Sequence, residues 1–217
     1  MSRACGTLSD LKVRYLGWSG FQLSKGDSSV VIDPFDKKSG DLDGEVVYCT
    51  HGHPDHIGGV STFLERNPNA ILLTNEQVEG QFTRFSNRTI IAQDGGSFKY
   101  GDWEFQFIGA KHGFLRGLNI GVIVRNGDET FAHVGDTITF EGFSSARIDL
   151  LAIPITGVVT TSPNQAIDEL KKFEKPLPTI VVMHWVFRNP KSFCRSLLRE
   201  FSDAKCIVPK KNELLPL

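Results

Sequence analysis

The chain has 217 residues, enough for one domain with a sizeable core and short for two, so a single domain over 1–217 is expected. Hydrophobic residues make up 40% and charged residues 23%, as in soluble globular proteins, and a net charge of -1 with scattered Lys and Arg gives no electrostatic basis for a long nucleic acid or an acidic membrane as partner. No apolar run approaches the ~18 residues of a membrane span and the opening MSRACGTLSD lacks a signal-like apolar core, so a cytoplasmic location is expected.

The first third reads as short strands punctuated by turn residues: LKVRYLG (11–17), GFQLSKGD (20–27) and SSVVIDPF (28–35), with a hairpin at the KGD. EVVYCT (45–50) is a further strand, followed by a histidine-rich loop. In GGVSTFLERNP (58–68), Val60, Phe63 and Leu64 have helical spacing, which Asn67-Pro68 ends. A strand at 70–74, a helix over 75–85 and a strand at 88–93 complete the alternation of β and α.

The pattern then repeats. GFQLSKGDSSVVIDPF (20–35) is echoed by GVIVRNGDETFAHVGDT (121–137): Gly20 answers Gly121, Gly26-Asp27 answers Gly127-Asp128, and Asp33 and Asp136 close the two segments. Strand, loop and amphipathic helix follow in both, the second time as LLAIPITGVVTTSPNQAIDEL (150–170). The expected fold is therefore α/β: two similar halves, each a mostly antiparallel or mixed sheet with helices outside, stacked as a four-layer αββα sandwich. A strand at 179–185, a helix over 190–202 and a final strand pair near 205–217 end the chain. Cys5, Cys49, Cys194 and Cys206 form no CxxC pair and are expected as free thiols.

THGHPDHIGG (50–59) holds three of the six histidines and an aspartate directly behind a strand. A loop leaving a strand can aim His51 and His53 at one point, which a helix would not, and imidazole with carboxylate suits zinc, iron or manganese. Taken as structure only, the segment is a polar turn with Asp55 capping a helix. His112, His133 and His184 each stand at or near a predicted strand end, as does Asp136 in GDT.

Taken together, YLGWSGFQL, VVIDPF, THGHPDHIGG, HVGDT and VVMHW resemble the metallo-β-lactamase superfamily, and within it the small cytosolic metal-dependent hydrolases related to ascorbate-6-phosphate lactonase. The resemblance runs from about residue 12 to 215. It implies that His51, His53 and His112 hold one metal, that Asp55, His56 and His184 hold a second, and that Asp136 bridges them. Asp33 resembles the family's supporting acid that orients ligand imidazoles. His133 matches a histidine often found before GDT, with proton transfer or a framework role open to it. Trp18 stands where relatives commonly carry a polar residue or histidine, which puts a contact from that loop in doubt.

Seven ligands exceed one tetrahedral ion, so two divalent ions are implied, zinc first with manganese or iron as alternatives. The implied reaction is attack by metal-bound hydroxide, oriented by Asp55, on an ester, lactone or phosphodiester bond of a small molecule. No G-x-S-x-G elbow or Walker-type phosphate loop offers another chemistry. His53 in place of Glu argues against the di-iron oxygen-reducing branch. An RNA or nucleotide phosphodiesterase and a non-catalytic metal-binding scaffold are the competing readings, and homo-oligomers occur among such relatives. Phe35, Phe114, Arg116, Trp185 and Thr160–Ser162 are expected around the pocket, with Arg116 and Trp185 as substrate contacts.

Overall fold

Two runs of β-branched and aromatic residues, each begun by hairpins and finished by β-α crossovers, dictate the architecture. The computed structural model describes residues 10–112 and 117–216. In the first run β1 (Lys12–Gly17), β2 (Gly20–Lys25) and β3 (Ser28–Ile32) are antiparallel neighbours. Helix α1 (Lys37–Gly40) leads to β4 (Val46–Cys49), α2 (Pro54–Ile57) and α3 (Val60–Arg66) lead to β5 (Ile71–Thr74), and α4 (Glu76–Glu79) leads to β6 (Thr89–Ile91). These later strands pair in parallel, as crossovers through helices require.

The second run repeats the scheme. Strands β7 (Ser97–Tyr100), β8 (Trp103–Lys111), β9 (Leu118–Asn126) and β10 (Glu129–His133) are antiparallel. Then β11 (Leu150–Pro154), α5 (Pro163–Leu170), β12 (Thr179–Met183), α6 (Pro190–Glu200) and β13 (Cys206–Ile207) add parallel strands. The last strand, β14 (Leu214–Leu215), returns to pair with β1. The orders are β14-β1-β2-β3-β4-β5-β6 and β13-β12-β11-β10-β9-β8-β7, two seven-stranded mixed sheets of like topology.

The echo between residues 20–35 and 121–137 is thus the β2–β3 hairpin answering β9–β10, with turn glycines Gly26 and Gly127 both at positive φ (58° and 65°). The residue that answers Asp33 by register is Val134, and Asp136 follows two residues later.

Side-chain alternation builds the layers. Val30, Ile32, Val46 and Tyr48 point into the core between the sheets, whereas Val31, Val47 and Cys49 meet Val60, Phe63 and Leu64 beneath α3. Between the sheets Phe21 packs on Phe131 at 5.1 Å and Tyr48 stacks on Phe107 at 6.1 Å. The Tyr48 hydroxyl donates to the Ile120 carbonyl at 2.7 Å, and the Trp103 indole donates to Ser28 Oγ at 2.6 Å. Ala166, Leu170, Phe193 and Leu197 of α5 and α6 join the core from the second sheet's side.

Three expectations need correction. The helix expected over 75–85 is broken: α4 stops at Gly80, whose lack of Cβ disfavours helix, and a 3-10 segment occupies Thr83–Arg88. The terminal strands β13 and β14 do not pair with each other but join different sheets. Cys194 and Cys206 are not free thiols. The packing of α6 beside β13 brings their Cα atoms to 5.6 Å and they form a disulfide, while Cys49 is a buried free thiol.

The glycine pair after His56 has a packing cause. A Cβ on Gly58 would lie 2.3 Å from the Phe35 carbonyl oxygen, and one on Gly59 would lie 2.5 Å from that of Asp36, while the Gly59 amide donates to the Pro34 carbonyl at 2.7 Å. Backbone therefore docks on backbone, joining the IDPF segment to the histidine loop. Gly40 completes the contact, since its Cβ would fall 2.0 Å from the Gly59 carbonyl. Gly40→Ala should cost about 2–3 kcal/mol by overpacking. Gly26→Ala meets nothing within 4 Å and should cost only the ~1 kcal/mol of its left-handed backbone. Urea denaturation of both variants checks this ranking, and equal losses would contradict the tight docking.

Candidate metal centre

All the chemistry-bearing residues follow the C-terminal ends of strands that run the same way within their sheets. Trp18 follows β1, Asp33 follows β3, and Thr50 and His51 follow β4. In the other sheet His112 follows β8, Asp136 lies beyond β10, Thr156 beyond β11, and His184 follows β12. One rim of the sandwich thus collects side chains from both halves.

The expected ligands come together there in two groups. His51, His53, His112 and Asp136 have ligand atoms within 4.8 Å of one another, and so do Asp55, His56 and His184. Asp136 connects the groups, with Oδ1 3.6 Å from His56 Nε2 and Oδ2 3.5 Å from His184 Nε2. Asp55 Oδ2 is 3.0 Å from His184 Nε2.

Hydrogen bonds behind the rim set the imidazole tautomers. Asp33 is fully buried, with one carboxylate oxygen accepting the Thr50 amide at 2.8 Å. The other accepts the Thr50 hydroxyl and His56 Nδ1, both at 2.7 Å. Because the Thr50 hydroxyl proton is committed to Asp33, its oxygen accepts from His51 Nδ1 at 3.0 Å. Thr156 repeats the device: its hydroxyl donates to the His184 carbonyl and accepts from His184 Nδ1 at 2.8 Å. In all three histidines Nδ1 is engaged and Nε2 is turned toward the cluster.

The atoms left over test the fit to a metal. Among the described residues, buried atoms without a hydrogen-bond partner include His56 Nε2, both ring nitrogens of His112 and Asp136 Oδ1. Unpartnered buried polar atoms are costly and rare, and coordinated cations would satisfy His56 Nε2, Asp136 Oδ1 and one nitrogen of His112. The nitrogen and carboxylate donors suit zinc, manganese or iron.

Electrostatics follow from the same crowding. Burial and the neighbouring His56 and His53 push His51 well below the ordinary imidazole range, and burial also lowers His112. Burial would lower His56 too, but Asp33, Asp136 and Asp55 around it push it up to about 9. Burial opposes ionisation of Asp33 and Asp55, yet His56 holds the first below the usual carboxylate range, and His184, His56 and Trp18 hold the second well below it.

The remaining expectations divide. His133 Nε2 donates to the Ser19 carbonyl at 2.8 Å and its Nδ1 accepts from the Gly135 amide at 3.1 Å. With both nitrogens bound to main chain, it fits the framework alternative. Trp185 is half-buried, stacks on Tyr15 at 6.1 Å and lines a hollow of about 170 Å3 beside His184. Arg116 and Phe114 lie outside the described residues. Thr160, Thr161 and Ser162 do not serve as a free pocket wall: the first two are buried in main-chain hydrogen bonds, and Ser162 caps α5.

Trp18 contacts two of the expected ligands. Its indole donates to Asp55 Oδ2 at 2.8 Å, its carbonyl accepts the His184 amide at 3.1 Å, and its ring meets that of His184 at 5.2 Å. The residue has φ 56°, as strained in its way as Asp33 and His184, both at 46°. Asn119 was also missed. Its side chain accepts the Asp136 amide at 3.2 Å and donates to the Val134 carbonyl at 3.1 Å, pinning the GDT turn.

Known proteins share both the sequence pattern and the fold. A family model described as the beta-lactamase superfamily domain matches residues 12–182. A UPF0173 metal-dependent hydrolase from Metallosphaera sedula is 29% identical over 219 residues, covering 91% of this chain and 96% of its own. Another from Nanoarchaeum equitans is 28% identical over 225 residues, covering 95% and 100%. Among solved structures, the metallo hydrolase Igni18 from Ignicoccus hospitalis aligns with a TM-score of 0.77 at 22% identity, over 95% of this chain and 98% of its own, a likeness of fold.

In the metal-free protein the raised pKa of His56 makes it an imidazolium at neutral pH. Its folded value lies above the ordinary 6.5, so the ionised contacts stabilise fully below about 6.5 and are lost as pH rises through about 9. Histidine-detected NMR should give a His56 titration near 9 that Asp33→Asn moves downward. A wild-type midpoint near 6.5 would contradict the carboxylate cage.

Proposed function

The chain belongs to the beta-lactamase superfamily, and on that premise we propose that it is a metal-dependent hydrolase of small molecules with a two-ion centre. The observation that carries this is the convergence of seven donors, with Nδ1 of His51, His56 and His184 engaged behind them and with His56 Nε2, the His112 nitrogens and Asp136 Oδ1 lacking hydrogen-bond partners among the described residues. His51, His53, His112 and Asp136 would hold one ion, Asp55, His56 and His184 the other, with Asp136 shared. Zinc is the first choice for this donor set, with manganese or iron next. When bound, such ions supply Lewis acidity and lower the pKa of a coordinated water to about 7.

The chain's own residues then have separate tasks. Asp33, through Thr50 and directly, keeps His51 and His56 oriented, and Thr156 does so for His184. Asp55 remains anionic at neutral pH, and its Oδ2 is steadied by Trp18, so it can accept a hydrogen bond from the attacking water and orient it. In ester or lactone hydrolysis, the water oxygen bonds to the carbonyl carbon and the carbon-to-alkoxy bond breaks. The water proton goes to the departing oxygen, giving an acid and an alcohol. A phosphodiester is the alternative target for the same apparatus.

A panel of ester, lactone and phosphodiester substrates tests this reading. Turnover should vanish on chelation and return with added zinc or manganese. His53→Ala and Asp136→Ala should each lower kcat/KM by at least about a hundredfold. Turnover that survives chelation and both substitutions would reject the assignment.

A further inference from the structure

Beside the metal centre lies a cavity of about 700 Å3, a size that suits a small organic ligand. One wall comes from the start of α4 and the end of β6, and the other from β8, β9 and Ile138, two residues past Asp136. His112 is part of its lining. Ile91, Leu118 and Ile138 present themselves to it while 40%, 40% and 41% exposed, and Ala92, Ala110 and Ile120 lie behind them. A single exposed aliphatic residue needs no explanation, but three converging on a concavity that ends at a candidate ligand do.

Four polar side chains of the wall, Asn75, Gln77, Asp94 and Asn119, are already engaged. The Asn75 side chain accepts from the Gln77 and Val78 amides and donates to the Thr50 and Leu118 carbonyls. Gln77 accepts the Leu118 amide at 2.9 Å, and Asp94 accepts the Gly109 amide at 2.6 Å. Asn119 joins the wall to the metal centre through its bond to the Asp136 turn. Among the described side chains lining the cavity, the charged groups are Glu76 and Asp94, both of the sign that repels a phosphate or carboxylate.

We propose that this cavity is the subsite for the uncharged alkyl portion of the substrate, so that the bond hydrolysed is the ester or lactone linkage of a neutral aliphatic molecule. This rests on the hydrolase reading above and narrows it. An alkyl chain against Ile91, Leu118 and Ile138 leaves its carbonyl end at the His112 side, next to the two groups of donors.

The test uses the full chain loaded with zinc and p-nitrophenyl acetate, butyrate and hexanoate, with bis(p-nitrophenyl) phosphate beside them. From acetate to hexanoate kcat/KM should rise about fourfold per added methylene. The rise should flatten in Ile138→Ser and in Leu118→Ser. Independently of turnover, hexan-1-ol titrated into the wild-type protein should shift the methyl NMR signals of Ile91, Leu118 and Ile138. Hydrolysis without chain-length preference, preference for the phosphodiester, or alcohol binding that misses these methyls would overturn the subsite. If no substrate is turned over but hexan-1-ol still shifts those methyls, the hydrolase reading fails and the alkyl site stands.

Discussion

A single buried carboxylate organises this rim. Asp33 sits in the interior, and its negative charge is balanced by the Thr50 amide and hydroxyl and by His56, with no Lys or Arg paired to it among the described residues. An ionised carboxylate is tolerated in such a place only when its lone pairs are filled, and filling them constrains the donors in turn. The proton that Thr50 gives to Asp33 decides which nitrogen of His51 carries hydrogen, and the direct bond does the same for His56. Orientation of two candidate ligands thus follows from one charge at the end of β3, the strand beside the one that leads into the histidine loop. The backbone at Asp33 is left-handed, a cost that the surrounding bonds offset.

The fold makes this economical, because both halves use the same sequence of hairpin followed by crossover strands. Strand ends of both sheets gather at one rim, so residues as distant in the chain as Asp55 and His184 become neighbours. The close docking of Gly58 and Gly59 against residues 34–36, with Gly40 against Gly59, then seats the histidine loop on the end of β3. Strain at Trp18, Asp33 and His184 is concentrated where orientation matters to coordination.

Much of this was legible in the sequence for identifiable reasons. Continuous apolar runs at 30–32 and 46–49 report directly on two-sided burial, and the spaced repeat of Gly26-Asp27 and Gly127-Asp128 reports on two equivalent hairpins. The histidines of 51–56 announce themselves because polar, metal-binding side chains rarely cluster behind a fully apolar strand. Residues whose importance lies in a partner elsewhere in the chain were less visible. Trp18 and Asp55 are 37 residues apart and Thr156 and His184 are 28 apart, and neither Trp nor Thr is a residue type that signals a metal centre by itself. The disulfide between Cys194 and Cys206 and the separate destinations of β13 and β14 arise from the last helix and the return of the chain, which periodicity does not encode.

The most direct measurement of the central claim is anomalous diffraction from crystals of the zinc-loaded protein. Two peaks about 3.5–4 Å apart are expected, one among His51, His53 and His112, one among Asp55, His56 and His184, with Asp136 between them. A single peak elsewhere on the surface, or none with those imidazoles still turned inward, would contradict the account.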